Sequence, residues 1–191
     1  MKTVDDFLAE VAFSRLETQI EERKAFRAPP GFELPSALQV ALRHRWQIAP
    51  VLARSELAAN SASGGLPSSD GEQIEYWVTR YPEANWSLVT GPASGVTALE
   101  IETRFTSSWL ADFTEDEVDW PGTLRFTSGS RWFMLFASNP DFQSLAIYPG
   151  LRLHTRTRIL IPPSSLPNGD ELAYADSRAP LLDPPNRLLL R

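Results

Sequence analysis

The sequence predicts an α+β fold, with a largely antiparallel or mixed sheet, flanking helices and an N-terminal helical extension, and three observations lead there. Apolar residues recur at helical spacing as far as Tyr81, the period changes to two beyond Pro82, and short β-rich runs are parted by Gly and Pro turns. Helices first and hairpins afterwards is the segregated order of an α+β domain, whereas a doubly wound parallel sheet alternates the two.

Taken in order, Val4, Phe7, Leu8, Val11, Leu16 and Ile20 predict an amphipathic helix from Thr3 to about Lys24, with Thr3 and Asp6 placed as a capping box. "APPGFELP" cannot continue it. A boundary near residues 28 to 35 therefore divides a helical extension, 1–35, from a domain over 36–191. Ser36 is expected to cap a second helix carrying Leu38, Leu42 and Trp46. "NSASGGLPSSDG" reads as a surface loop, after which Ser69 and Glu72 form a capping box for a helix with Ile74, Trp77, Val78 and Tyr81 on one face. Pro82 stops it.

"WSLVTG" and "GVTALEIE" then read as a β-hairpin around a Gly/Pro turn. In its second strand Val96, Ala98, Glu100 and Glu102 share one face and Thr97, Leu99 and Ile101 the other, so the two carboxylates point the same way. A helical patch is expected around Trp109 and Phe113. "TLRFTSGSRWFMLFAS" predicts a second hairpin turning at Ser128, Gly129 and Ser130. "LAIYPGLRLHTRTRILIPPSS" supplies further strands that end at Pro162 and Pro163, and the apolar end of "SRAPLLDPPNRLLLR" is expected to dock as a short helix.

With 191 residues, 42% hydrophobic and 10% aromatic, the chain can bury a single-domain core. A net charge of -6 gives no global reason to bind a polyanion, so any nucleic-acid or nucleotide contact rests on a local arginine patch. The absence of cysteine excludes disulfides, thiolate nucleophiles and Cys-type zinc sites. Two histidines far apart give little support to a His-rich metal site or a Ser-His hydrolase. An acidic N-terminus and the lack of a spanning apolar run lead us to expect a soluble, cytoplasmic protein without a membrane partner. "TGPASG" is followed by a strand pattern, where a phosphate cradle would need a helix.

The run "GEQIEYWVTRYPEANWSLVTGPASGVTALEIET" resembles a segment of bifunctional DNA primase/polymerases, the prim-pol domains of the archaeo-eukaryotic primase superfamily. There a Trp-bearing helix, a "P-x-A-N" turn and a "TG" strand end precede an acidic pair. "FTSGSRWFMLF" is similar to the family's Ser-Gly-Gly-Arg-His turn, "ILIPPSS" to its strand ending in Pro-Pro-Ser, and "NGDELAY" to its following Gly-to-Tyr stretch. The likeness covers roughly residues 36 to 190, and the order and spacing of the motifs carry it. It implies a prim-pol-like fold and metal-assisted nucleotidyl transfer, in which three carboxylates hold Mg²⁺ or Mn²⁺ and a His near the glycine turn meets the nucleotide phosphates.

Laid over that pattern, Glu100 and Glu102 stand for the acidic pair, as catalytic residues and metal ligands if a metal site survives. Trp132 falls on the His, and an indole has one N–H donor and no acceptor. Arg152 falls on the third acid, where a guanidinium repels a cation. We therefore expect a degenerate site with no cofactor, Glu100 and Glu102 pairing with Arg152, and Ser128, Gly129, Arg131, Arg152 and Arg158 left as phosphate contacts.

In "LRLHTRTRI", Arg152, His154, Arg156 and Arg158 would line one face of a continuous strand, although arginines facing plain solvent are the commoner reading. His154 and His44 alone read as ordinary exposed residues. Two alternatives stand beside the degenerate site. One is an active, Mg- or Mn-dependent primase/polymerase that recruits Asp141 or Asp170, and the other is a non-enzymatic module docking a protein through its N-terminal helix and C-terminal tail.

Overall fold

A computed structural model describes residues 18, 21–53, 66–105, 122–140 and 145–184. Most of the expected first helix, the patch around Trp109 and Phe113, Asp141 and the C-terminal residues 185–191 lie outside them. Residues 21–25 are helical.

Helix α1 (Ser36–Arg43) begins at Ser36 itself, so its cap falls one residue before the one expected. Pro35 is the N-cap, and its carbonyl takes the first bonds, from Leu38 N at 2.8 Å and Gln39 N at 3.2 Å. Its fixed φ and missing N–H suit a helix start. The helix ends before Trp46, which is fully buried beyond it. Helix α2 (Gly71–Arg80) is capped by Asp70, the residue after the expected Ser69, and the Asp70 carboxylate accepts from Glu72 N at 3.1 Å. The same carboxylate holds Arg23 of the N-terminal segment.

Ten strands form two sheets among the described residues. The smaller has the order β1-β2-β8, from β1 (Ile48–Val51), β2 (Asn85–Val89) and β8 (Arg158–Ile161). The larger runs β6-β7-β3-β5-β4-β10-β9. Its members are β3 (Val96–Glu102), β4 (Arg125–Ser128), β5 (Arg131–Ala137) and β6 (Leu145–Tyr148), with β7 (Leu151–His154), β9 (Ser164–Ser165) and β10 (Glu171–Tyr174). All pairings between these strands are antiparallel, which agrees with the α+β expectation.

Two local readings are corrected. β2 and β3 do not form a hairpin, because both edges of β2 are taken by β1 and β8. "TGPASG" instead carries the chain from one sheet to the other, leaving a lone bridge between Gly91 and Val96. Gly91 has a φ of 96°, and a Cβ there would collide with the Thr155 carbonyl. Nor is "LRLHTRTRI" one strand: β7 stops at His154, residues 155–157 bend, and Arg158 opens β8 in the other sheet. The β4–β5 hairpin forms as expected, turning at Gly129 and Ser130.

The main core lies on one face of the large sheet. Val96, Ala98, Phe126, Phe133 and Leu135 pack with Leu38 and Val40 of α1, Ile74 and Trp77 of α2, and Ile48, Leu88 and Ile161 of the small sheet. Each fully buried large aliphatic or aromatic side chain stabilises by about 1.5–3 kcal/mol. On the opposite face Leu99, Met134, Phe136 and Leu153 are also buried. No described helix is long and apolar enough to cross a membrane.

Candidate functional site

Strand β3 is flanked on both sides, by β5 and β7, and its register decides what each glutamate meets. Glu100 stands opposite Phe133 on β5 and Arg152 on β7, Glu102 opposite Arg131, and Ala98 opposite His154. Directly opposed residues point to one side of an antiparallel sheet, so Glu100, Glu102, Arg131, Arg152 and His154 share the face that holds the main core. They lie where its apolar packing gives way to charge.

Glu100 is only 8% exposed. Burying a carboxylate is costly unless it is paired, and here both oxygens are engaged. His154 Nε2 lies 2.7 Å from Oε2, and Arg131 Nη1 lies 3.1 Å from Oε1. Both partners come from diagonal positions, within reach of long side chains. Burial alone would raise the Glu100 pKa. The His154 hydrogen bond, followed by the charges of His154, Arg131 and Arg152, outweighs burial and holds it below its ordinary value.

An ionised carboxylate only accepts, so His154 Nε2 carries the proton. Its Nδ1 lies 3.0 Å from Thr157 Oγ1, which donates to a neutral ring and accepts from a charged one. The Thr157 backbone N–H then donates to Thr90 Oγ1 at 3.0 Å, and its carbonyl accepts from the Thr90 backbone N–H at 2.8 Å. A hydrogen-bonded chain therefore runs from Glu100 in the large sheet to the end of β2 in the small one.

The expected pairing of both glutamates with Arg152 is not what forms. Arg152, directly opposite Glu100, is exposed and pairs with no described carboxylate. Glu102, at the end of β3, is bound by its near neighbour Arg104, whose Nε and Nη2 each lie 2.8 Å from Oε2. The physical reason is reach: the diagonal His154 and Arg131 satisfy the buried oxygens first, and Arg152 extends into water.

The hairpin turn borders this cluster. Ser128 is buried and in register with Arg131. Gly129 has a φ of 52°, and a Cβ on it would collide with the Asp170 carboxylate. Asp170 is held there by Asn168 Nδ2 at 2.9 Å. Trp132, expected at the family's His position, points to the opposite face, with the Arg125 guanidinium 5.7 Å from its ring centre. Arg158 is opposite Val89 in the small sheet, apart from the Arg131 and Arg152 strands.

The sequence alone marks His154 as an ordinary strand histidine, and the structure makes it the partner of Glu100. Its parity with Arg152 is visible in the sequence, but the strand β7 would pair with is not. His44 is half-buried and stacks on Trp46 at 5.2 Å, so it is not a plain surface residue. Burial, and then the charge of Arg43, lower its pKa.

A divalent cation does not fit this donor set. Glu100 has both oxygens engaged, Glu102 is held by a guanidinium, and the residue directly opposite Glu100 on β7 is the cation Arg152. Among the described residues no three His, Asp or Glu side chains converge as metal ligands.

No curated protein matches this chain. Residues 37–187, most of the chain, match the family model described as bifunctional DNA primase/polymerase, N-terminal. The acidic-pair strand, the glycine-turn hairpin and the strand leading to Pro162 and Pro163 all fall within the match, and the chain belongs to the prim-pol family.

Proposed function

We propose that this prim-pol domain has lost metal-dependent nucleotidyl transfer and retains a metal-independent site for the phosphates of a nucleotide or nucleic acid, serving DNA replication as a binding domain. The observation that carries this reading is the occupation of Glu100 by His154 and Arg131, with Arg152 left facing solvent beside them.

Charge supports it. Glu100 offsets one of the two guanidiniums that flank it, so the cluster attracts an anion where the family's chemistry needs a cation. Arg131 is half-exposed and has further N–H donors beyond the one used on Glu100, and Arg152 offers a full planar fork. Ser128 and Gly129 bring the hairpin turn to the same border.

Calorimetric titration with a deoxynucleoside triphosphate, with and without Mn²⁺, tests the reading. Binding is expected without Mn²⁺ and should weaken roughly ten-fold or more in Arg152→Asp, which replaces a charge-assisted contact by a repulsive one. Binding that requires Mn²⁺, together with primer extension by the unaltered protein, would overturn it.

A further inference from the structure

Trp132 takes no part in the cluster around Glu100, yet it is 41% exposed, one of few large apolar side chains in that state among the described residues. Its surroundings are specific. On the same face, the register places Thr127 beside it on β4 and Ala173 beyond on β10, both small. Arg125, also on that face, sets its guanidinium over the indole. The result is an exposed indole with small side chains beside it, on the face that also carries the buried Leu99, Met134 and Leu153.

We infer that Trp132 and Arg125 form a stacking platform for a base of single-stranded nucleic acid, on the face of the sheet opposite Glu100. Every base has a π-face, and indole and guanidinium planes both stack on it without demanding a sequence. The phosphate anchor comes from the neighbouring residue. Arg131 and Trp132 are adjacent on β5 and point to opposite faces at the turn end of the hairpin, so one strand crossing that end meets a guanidinium and then an indole. In this respect the inference rests on the phosphate site proposed above. An acidic peptide is the poorer occupant, because exposed Glu171, on the same face of β10, would lie under it, whereas an uncharged base is indifferent to that carboxylate.

The test is fluorescence anisotropy of a labelled oligothymidylate, run beside calorimetry with a deoxynucleoside triphosphate, on the unaltered protein, Trp132→Ala, Trp132→Phe and Arg152→Asp. Loss of one stacked base should weaken oligonucleotide binding at least five-fold in Trp132→Ala, with partial rescue in Trp132→Phe and unchanged triphosphate binding. Oligonucleotide binding that Trp132→Ala leaves unchanged, while Arg152→Asp weakens both ligands, would overturn the platform and leave the phosphate site standing. Oligonucleotide binding sensitive to Trp132 with no triphosphate binding would support the platform and remove the phosphate site. No oligonucleotide binding by the unaltered, folded protein would overturn the platform, whatever the triphosphate does.

Discussion

Glu100 and Glu102 are two residues apart on one strand and one face, yet they occupy different chemical worlds. The region around Glu100 is the middle of a sheet, walled by β5 and β7, where water is scarce and both carboxylate oxygens are held by long-range partners. The region around Glu102 is a strand end, about one-third exposed, where a neighbour in sequence supplies the counter-ion. A shared face is therefore not a shared site. Depth along the strand decides whether an acid becomes part of the core's electrostatics or a solvated ion pair.

The largest expected effect comes from removing the partner of the deeper acid. His154→Ala leaves Glu100 Oε2 buried without a donor and is expected to cost about 2–3 kcal/mol, read as a lower urea midpoint at unchanged slope. A cost well under 1 kcal/mol would mean that water replaces the imidazole, and the contrast between the two regions would collapse.

Acid pH sharpens the comparison further. Because the folded Glu100 pKa is lowered, the unfolded chain binds the proton more readily, and the ionised carboxylate contributes stability above its unfolded pKa. That contribution is lost as pH falls through the lowered folded value. Urea denaturation from pH 6 to 3 should therefore show the advantage of the unaltered protein over Glu100→Gln shrinking once pH drops below the ordinary glutamate range. An advantage that grows with acid would reverse the sign and sink the account.

The smallest effect is expected at the strand end. Glu102→Ala removes an exposed pair with Arg104 and should cost at most about 0.5–1 kcal/mol, with little dependence on anything but salt. A loss as large as that of His154→Ala would show that Glu102 is coupled to the buried cluster after all.

Much of this architecture was legible in the chain. The change of period after Pro82, the β4–β5 hairpin and the parity that aligns Glu100 with Glu102 follow from local rules, because side-chain alternation needs no knowledge of neighbours. Helix starts were legible to within two residues, as Pro35 and Asp70 took the roles expected of Ser36 and Ser69. What could not be read was pairing. "WSLVTG" and "GVTALEIE" look like a hairpin because they are adjacent and β-rich, but β1 and β8, remote in sequence, had already taken both edges of β2. Likewise "LRLHTRTRI" alternates like one strand, while the bend after His154 sends its two halves into different sheets.

By itself, then, the sequence determined the α+β class, the family and the face that carries the acids. Only the tertiary structure decided that Glu100 is buried, that His154 and Arg131 hold it while Arg152 stays in solvent, and that Trp132 turns away from the cluster. Periodicity is a property of one strand. Burial and counter-ion choice depend on which strands flank it and in what register, and those contacts join residues whose separation along the chain says nothing of their distance in space.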